Sequence, residues 1–485
     1  MLISIGQVIT LFPFLVLIVS IFLIMLSIIV YRNCTFVFFF IIFSFIISLL
    51  SLLVIYMVIP IYVMALMYMN FYSILYILMI LFSGLCISIL SFLYLQHIVS
   101  YKEEFYLLIL FSILGGMLLV VSNHLISFFI GIELMSLPVI GLVQYSFSQK
   151  KSLIIALKYV ILSSIFSLFI LFSIVLIYFI CGNLNFSNIK ISLLINNYEN
   201  NNILLFGLGI LLISLFFKLS VFPFHFLVPE IYENISSLIL IYFTTIIKVS
   251  IFGILIKLFF YFPYSHTQIL YKIVKYVAVF SIFFGSMCSV FQKDIKKLIG
   301  YSSIAHMGYI LITLLFINNY NMANEAALIY LINYLISNIG IFSILIIVRN
   351  IYNVKISNFN FYKGLFWNKP ILAIAMTIFI FSSLGIPITL GFIAKFYIIF
   401  LTIYQFDWLI ISIILINSGL SIYYYLKVIL NLYVYNHVHL NSSIIKYNEY
   451  KILEVIIFLF SMLIIFLGIY PKILINIIHV SNTLL

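Results

Sequence analysis

Residues 210–232 read ILLISLFFKLSVFPFHFLVPEIY. The run up to Phe217 is apolar enough for a bilayer interior, but Lys218 interrupts it, and Pro223, His225 and Pro229 follow at once. A lysine at the middle of a membrane helix costs about 2.5 to 3.5 kcal/mol on insertion scales, and a helix-interior proline removes a backbone hydrogen bond. Something in the protein must offset both costs.

The surrounding chain is a membrane protein. Of 485 residues, 66% are hydrophobic and only 7% charged, against roughly a quarter charged in a soluble domain. Its apolar runs are continuous, which excludes an outer-membrane barrel and indicates an all-α polytopic bundle. Polar breaks divide the chain into about fourteen spans, at 8–30, 36–59, 73–95, 105–121, 124–146, 154–181, 203–227, 236–261, 273–291, 298–317, 326–348, 371–403, 408–435 and 453–477. The first run lacks a preceding basic region and a small-residue cleavage site, so it reads as a retained helix rather than a signal peptide.

Charge sets the expected orientation. With the N-terminus outside, inner loops hold Arg32, Lys102, Lys150, Lys151, Lys293, Lys296, Lys297, Arg349, Lys355, Lys363, Lys369, Lys446 and Lys451. Outer segments hold only Lys190, Lys272, Lys275 and Lys472. This satisfies the positive-inside rule and, with an even number of spans, returns the C-terminus to the outside as well. The net charge of +12 is thus a matter of topology, and no aromatic-interleaved basic patch points to nucleic acid. Cys34, Cys86, Cys181 and Cys288 lie far apart without a C-x-x-C motif, as packing residues do.

No long linker or soluble domain interrupts the chain, so residues 1–485 form a single membrane domain. Within it, LSVFPF in the seventh span and LGIPIT in the twelfth are both proline breaks inside long apolar segments. Interruptions at corresponding places in two halves point to an inverted-repeat transporter and its ion site. The segments IIKVSIF around Lys248 and YLKVILN around Lys427, each one span after a break, add to the parallel.

Once loop charges are set aside, a short ionisable list remains near the predicted midplanes: Glu133, Lys158, Lys218, Lys248 and Lys395, with His225, His306 and Lys427 nearby. Lys158 and Lys427 lie close enough to helix ends to snorkel. Lys218, Lys248 and Lys395 are expected to face the protein interior. Burial disfavours an ammonium and a carboxylate brought close restores it, so a buried lysine beside a movable carboxylate is a proton switch. Glu133 is the only carboxylate expected at mid-depth, too few to neutralise several lysines, which favours a proton wire over a static charge-paired core. His225 and His306 suit either a relay or a hydrogen bond between helices. No G-x-G-x-x-G, P-loop or H-E-x-x-H occurs, and His437 and His439 lie in a polar loop. No redox centre is visible, so the chain itself is expected to carry no cofactor.

Four ordered segments carry a resemblance to a known family. They are SFFIGIELMSLPVIGLVQYSFSQKKSLIIALKYVILSS (127–164), FKLSVFPFHFLVPEIYE (217–233), IKKLIGYSSIAHMGYIL (295–311) and FSSLGIPITLGFIAKFYIIF (381–400). Together they resemble the antiporter-like membrane subunits of respiratory complex I, over nearly the whole chain. Among those paralogues the chain is most similar to the N type: it is too short for the L type with its lateral helix. Lys395 stands where the M type carries Glu, and GLFWNKPILAIAMT (364–377) has the N-type pattern.

The resemblance implies a fourteen-helix fold with two inverted five-helix repeats, 105–261 and 273–435, and with spans seven and twelve broken. It implies that Glu133 pairs with Lys218, that Lys248 is the central lysine and that Lys395 belongs to the exit half, with Lys158, His225 and His306 as supporting positions. The segment YENISSLIL after the seventh-span break, and Leu227 where the family has Trp, depart from the pattern. The implied function is proton translocation across the bacterial cytoplasmic membrane, driven by quinone reduction elsewhere in a complex that uses NADH, FMN, Fe-S clusters and quinone. The implied partners are a neighbouring M-type subunit, small subunits such as K and the lipid bilayer. The alternative is a subunit of a multi-subunit cation/proton antiporter; a third reading makes the charges purely structural.

Overall fold

The computed structural model describes residues 4–95, 102–145, 150–195, 202–262, 268–317, 321–352, 359–435 and 450–482. Lys355, His437, His439 and Lys446 lie outside the described residues. In chain order the elements begin with α1 (Ile5–Val30), α2 (Cys34–Ile55), β1 (Ile61–Val63), β2 (Met67–Met69), α3 (Phe71–Leu95), α4 (Lys102–Val121), α5 (Leu125–Gln144) and α6 (Lys150–Cys181). They continue with α7 (Phe186–Ile195), α8 (Asn202–Leu219), α9 (Val228–Asn234), α10 (Ser237–Thr244), α11 (Ile246–Tyr261), α12 (Gln268–Val290) and α13 (Ile295–Leu314). The last are α14 (Asn321–Tyr352), α15 (Leu365–Asn368), α16 (Pro370–Leu384), α17 (Leu390–Tyr404), α18 (Trp408–Tyr433), α19 (Lys451–Ile469) and α20 (Lys472–Asn482).

Among the described residues ten helices, together with α10 and α11 taken as one span, are long and apolar enough to cross a membrane. The remaining expected spans are α13, the broken pair α16 and α17, and α19 with α20. In α13 the polar run Tyr301–Ser303 and His306 dilutes an otherwise apolar helix. All fourteen expected spans therefore have a helical counterpart.

The helices pack into two compact units. The first comprises Met1–Leu219, Thr245–Lys272 and His479–Leu485. Its outer helices α1, α2 and α6 present large apolar side chains outward, among them Phe12, Phe39 and Leu168, as lipid-facing helices must. Its innermost helix is α11, on which every residue from Ile246 to Phe259 is buried. A helix apolar on all sides has no solvent face to offer and belongs at a core. Helices α4 and α5 touch backbone to backbone: a Cβ on Gly115 would stand 2.3 Å from Met135 N, and one on Gly131 2.9 Å from Leu119 N. That contact fixes the rotation of α5 on either side of Glu133. An antiparallel hairpin, β1 with β2, pairs Tyr62 with Tyr68, and their rings stack at 4.3 Å; no expectation from sequence covered it.

The second unit comprises Ser220–Thr244 and Ile273–Ile478. Its 32-residue helix α14 is buried along 94% of its most apolar window. Helix α19 runs beside α16, joined to it by a buried ion pair between Lys369 Nζ and Glu454 Oε1 at 2.8 Å.

Four spans are not straight helices: the breaks expected in the seventh and twelfth are present, and those in the eighth and the last were not expected. The seventh stops at Leu219 rather than 227, where Ser220 takes a left-handed φ of 59° and Pro223 has no N–H to continue the ladder. The eighth is two helices, α10 and α11, separated by Thr245 at φ −106° and ψ −75°. No proline or glycine marks that break. Beside it Thr244 Oγ1 bonds back to the Leu240 and Ile241 carbonyls at 3.0 Å. The twelfth breaks after Leu384, where Gly385 caps α16 with φ 79°, a conformation that favours glycine. The last span bends by 79° between α19 and α20, at Tyr470 and Pro471.

Candidate functional site

In the first unit the expected residues come from four helices. Glu133 lies midway along α5 and is half-buried. Lys218 stands in the last turn of α8 and is 8% exposed. Lys248 is the third residue of α11 and is 3% exposed. Neither Glu133 Oε1 nor Lys218 Nζ has a hydrogen-bond partner among the described residues. The Glu133 charge nevertheless acts on Lys218 and on the buried Tyr159 of α6. Acid and lysine are thus coupled through space without these two atoms being bonded.

The helix ends grade this region further. Lys218 sits at the negative end of the α8 dipole, which favours a cation, whereas Lys248 sits at the positive end of the α11 dipole, which opposes one. Both ends exist because spans seven and eight are broken where they are. Lys158 is placed differently: its side chain is exposed on α6, one residue from Tyr159.

The second unit holds His225, His306 and Lys395. His225 is buried, its ring 5.6 Å from that of Phe222 and 4.6 Å from that of Phe284, and its Nδ1 has no hydrogen-bond partner among the described residues. His306 on α13 joins two helices, Nδ1 lying 2.8 Å from Tyr330 Oη and Nε2 3.2 Å from Tyr425 Oη. Lys395 on α17 reaches back across the break and donates from Nζ to the Leu384 carbonyl at 2.6 Å. That carbonyl ends α16, where no following turn supplies an N–H. The ammonium also stands 5.4 Å from the Tyr309 ring centre. Tyr309 Oη accepts from Asn417 Nδ2 at 2.7 Å, and its ring stacks on Tyr330 at 5.9 Å. Aromatic hydroxyls and rings therefore link Lys395 to His306.

Besides Glu103 and the Lys369–Glu454 pair, two buried ionisable residues outside the expected set are Glu325 and Lys257. Glu325 is 2% exposed in the first turns of α14, and its charge acts on Tyr397, two residues beyond Lys395. Glu133, itself half-buried, is therefore not the only carboxylate withdrawn from the surface. The span expected at 326–348 begins five residues too late, which left Glu325 in a loop. Lys257, 3% exposed on α11, was not among the residues singled out from the sequence.

Comparisons to known proteins bear on the family and the fold. Residues 122–421 match the family described as NADH:quinone oxidoreductase/Mrp antiporter, TM. The chain is 41% identical over 482 residues to NADH-quinone oxidoreductase subunit N of Buchnera aphidicola subsp. Acyrthosiphon pisum (strain APS), covering 99% of both chains. It is 39% identical over 485 residues to the same subunit of Buchnera aphidicola subsp. Schizaphis graminum (strain Sg), again covering 99% of each. Its fold is similar to a chain of respiratory complex I from Thermus thermophilus with bound aureothin, at TM-score 0.78 and 23% identity over 96% of this chain and 98% of that one. It is also similar to a chain of an archaeal membrane-bound sulfane sulfur reductase, at TM-score 0.87 and 20% identity over 98% and 97%. A chain of the Mrp complex from Dietzia sp. DQ12-45-1b gives TM-score 0.81 and 15% identity over 99% and 97%. The solved structures speak for an antiporter-like membrane fold; the full-length relatives speak for one branch of it, and the chain belongs to the subunit N family of NADH-quinone oxidoreductases.

Proposed function

We propose that the chain is the proton-translocating membrane subunit of an NADH:quinone oxidoreductase, coupling electron transfer from NADH to quinone in other subunits to proton export. The observation that carries this reading is the buried Lys218 at a helix break, sensing the charge of Glu133 while neither Lys218 Nζ nor Glu133 Oε1 is hydrogen-bonded among the described residues. A bonded pair would be a fixed brace; a coupled, unbonded pair responds to distance. At an effective dielectric constant near 20, separating two unit charges from about 4 to about 8 Å changes their interaction by about 2 kcal/mol. Moving one charge against 100 mV costs about 2.3 kcal/mol. Displacement of Glu133 by a side chain's length is thus of the right size to load or release a proton at Lys218 against a membrane potential.

In this reading Lys218 is the switch, Lys248 receives its proton, and Lys395 is the exit-side carrier, with His225, His306 and Lys158 as supporting positions. Residues 105–261 and 273–435 are its two inverted repeats. The redox cofactors FMN and Fe-S clusters, with NADH and quinone, belong to other subunits. Neighbours are an M-type antiporter-like subunit and small subunits such as K, in a bacterial cytoplasmic membrane with both termini outside. The rival cation/proton antiporter shares the fold, but the full-length relatives at 39% and 41% identity carry the oxidoreductase name.

Purification of the native complex tests the assignment. Co-purifying NADH:quinone reductase activity supports it, and a partner set made only of antiporter subunits would overturn it. In that complex Lys218→Met should assemble and lose proton transport, because it deletes the ammonium while keeping most of the stem volume.

A further inference from the structure

We infer that Lys257 is a further proton-carrying residue of the first unit, taking protons from Lys248 toward the C-terminal end of α11. The inference rests on the proton-translocating reading above. Lys257 is not a snorkelling residue: α11 is buried on every side through Phe259, and the lysine is itself buried. Its ammonium turns inward and donates to the Val120 carbonyl. Val120 lies in the last turn of α4, where the carbonyls have no helical partner and the dipole is negative. A helix end can therefore hold a charged lysine here without a carboxylate.

The second unit uses the same arrangement at the residue assigned to the exit side, where Lys395 donates to the Leu384 carbonyl at the end of α16. Each lysine, buried at Lys257 and half-buried at Lys395, is held by an orphan carbonyl rather than by an ion pair. Along α11, Lys248 and Lys257 stand nine residues apart, about 13.5 Å at 1.5 Å per residue. The interval is not purely apolar. Tyr72 Oη donates to the Gly253 carbonyl at 2.9 Å, and Tyr76 Oη is fully buried without a hydrogen-bond partner among the described residues. Gly253 brings these groups against the helix: a Cβ there would stand 2.9 Å from Tyr76 Cδ1 and 3.0 Å from Val120 Cγ2. Two tyrosines and the Val120 segment thus line the helix between one lysine and the next.

A lysine that only capped α4 would have the same contacts, and the two roles separate by chemistry. Arginine keeps the charge and the donor but does not release a proton in proteins. Glutamine keeps a donor for the carbonyl and has no charge to lose. The experiment measures NADH oxidation and proton uptake in membrane vesicles carrying the assembled complex with Lys257→Arg, Lys257→Gln or Lys248→Met. A carrier role predicts that both Lys257 variants retain electron transfer and lose as much of the proton-to-electron ratio as Lys248→Met does. A normal ratio in either assembled Lys257 variant, alongside a loss in Lys248→Met, would overturn the Lys257 proposal alone. Failure of both variants to assemble would assign the side chain to packing and overturn it as well. A normal ratio in all three would instead sink the underlying proton-translocating reading.

Discussion

Lys218 in the first unit and Lys395 in the second are held in opposite ways. In the first, the Lys218 ammonium has no hydrogen-bond partner among the described residues and answers to the charge of Glu133. In the second, Lys395 is bonded to a main-chain carbonyl and approaches an array of aromatic hydroxyls that ends at His306. A charge felt through space changes strongly with small displacements, whereas a lysine bonded to a main-chain carbonyl and packed against aromatic rings is held in place. The first arrangement suits a switch and the second a relay. The difference arises from the backbone: a helix broken at Leu219 presents a lysine at its own end, whereas a helix broken at Leu384 presents a carbonyl to a lysine on the next segment.

If that contrast is right, removing the relay's carrier should have the largest effect of the second-unit changes. Lys395→Met is expected to assemble and to lower proton transport by about 10²-fold or more, the usual worth of a positioned acid–base group. Lys395→Glu should retain part of the transport, because a buried carboxylate can also alternate between charged and neutral. A packing role predicts the reverse order, with Met tolerated and Glu disruptive. His306→Gln should cost less. It loses one of two hydrogen bonds at about 1 kcal/mol each, which is about a fivefold slowing in coupled turnover, with assembly unchanged. The smallest effect is expected at Glu325→Gln, which keeps the shape of the side chain in α14 and removes a charge acting on Tyr397. A loss as large as that of Lys395→Met would make the second unit a charge-coupled switch like the first and erase the contrast.

Much of this arrangement is legible in the sequence. Continuous apolar runs gave all fourteen spans, and Pro223 and Pro387 marked two of the broken ones. Lys218, Lys248 and Lys395 stood out because a lysine in an apolar run is costly. What escaped was what leaves no residue-type signature. The break at Thr245 carries neither proline nor glycine, and the threonines beside it are common in apolar helices. Glu325 was lost to a misplaced helix start, since an asparagine-rich entry reads as loop until the helix is seen to begin at Asn321. Lys257 was not singled out, and only the surrounding helices show that α11 has no outward face. The turn at the end of α8 was expected eight residues later, since the residues after Leu219 remain apolar although their backbone has left the helix.

The central claim is that Glu133 and Lys218 act as one coupled unit, and a double-mutant cycle on proton transport tests it most directly. Glu133→Gln, Lys218→Met and the double variant would be compared in the assembled complex, with electron transfer measured in parallel. Coupling predicts that the double variant is no worse than the more damaged single one, because either change alone already disables the switch. Losses that simply multiply, so that the double variant falls by the product of the two single effects, would contradict the account.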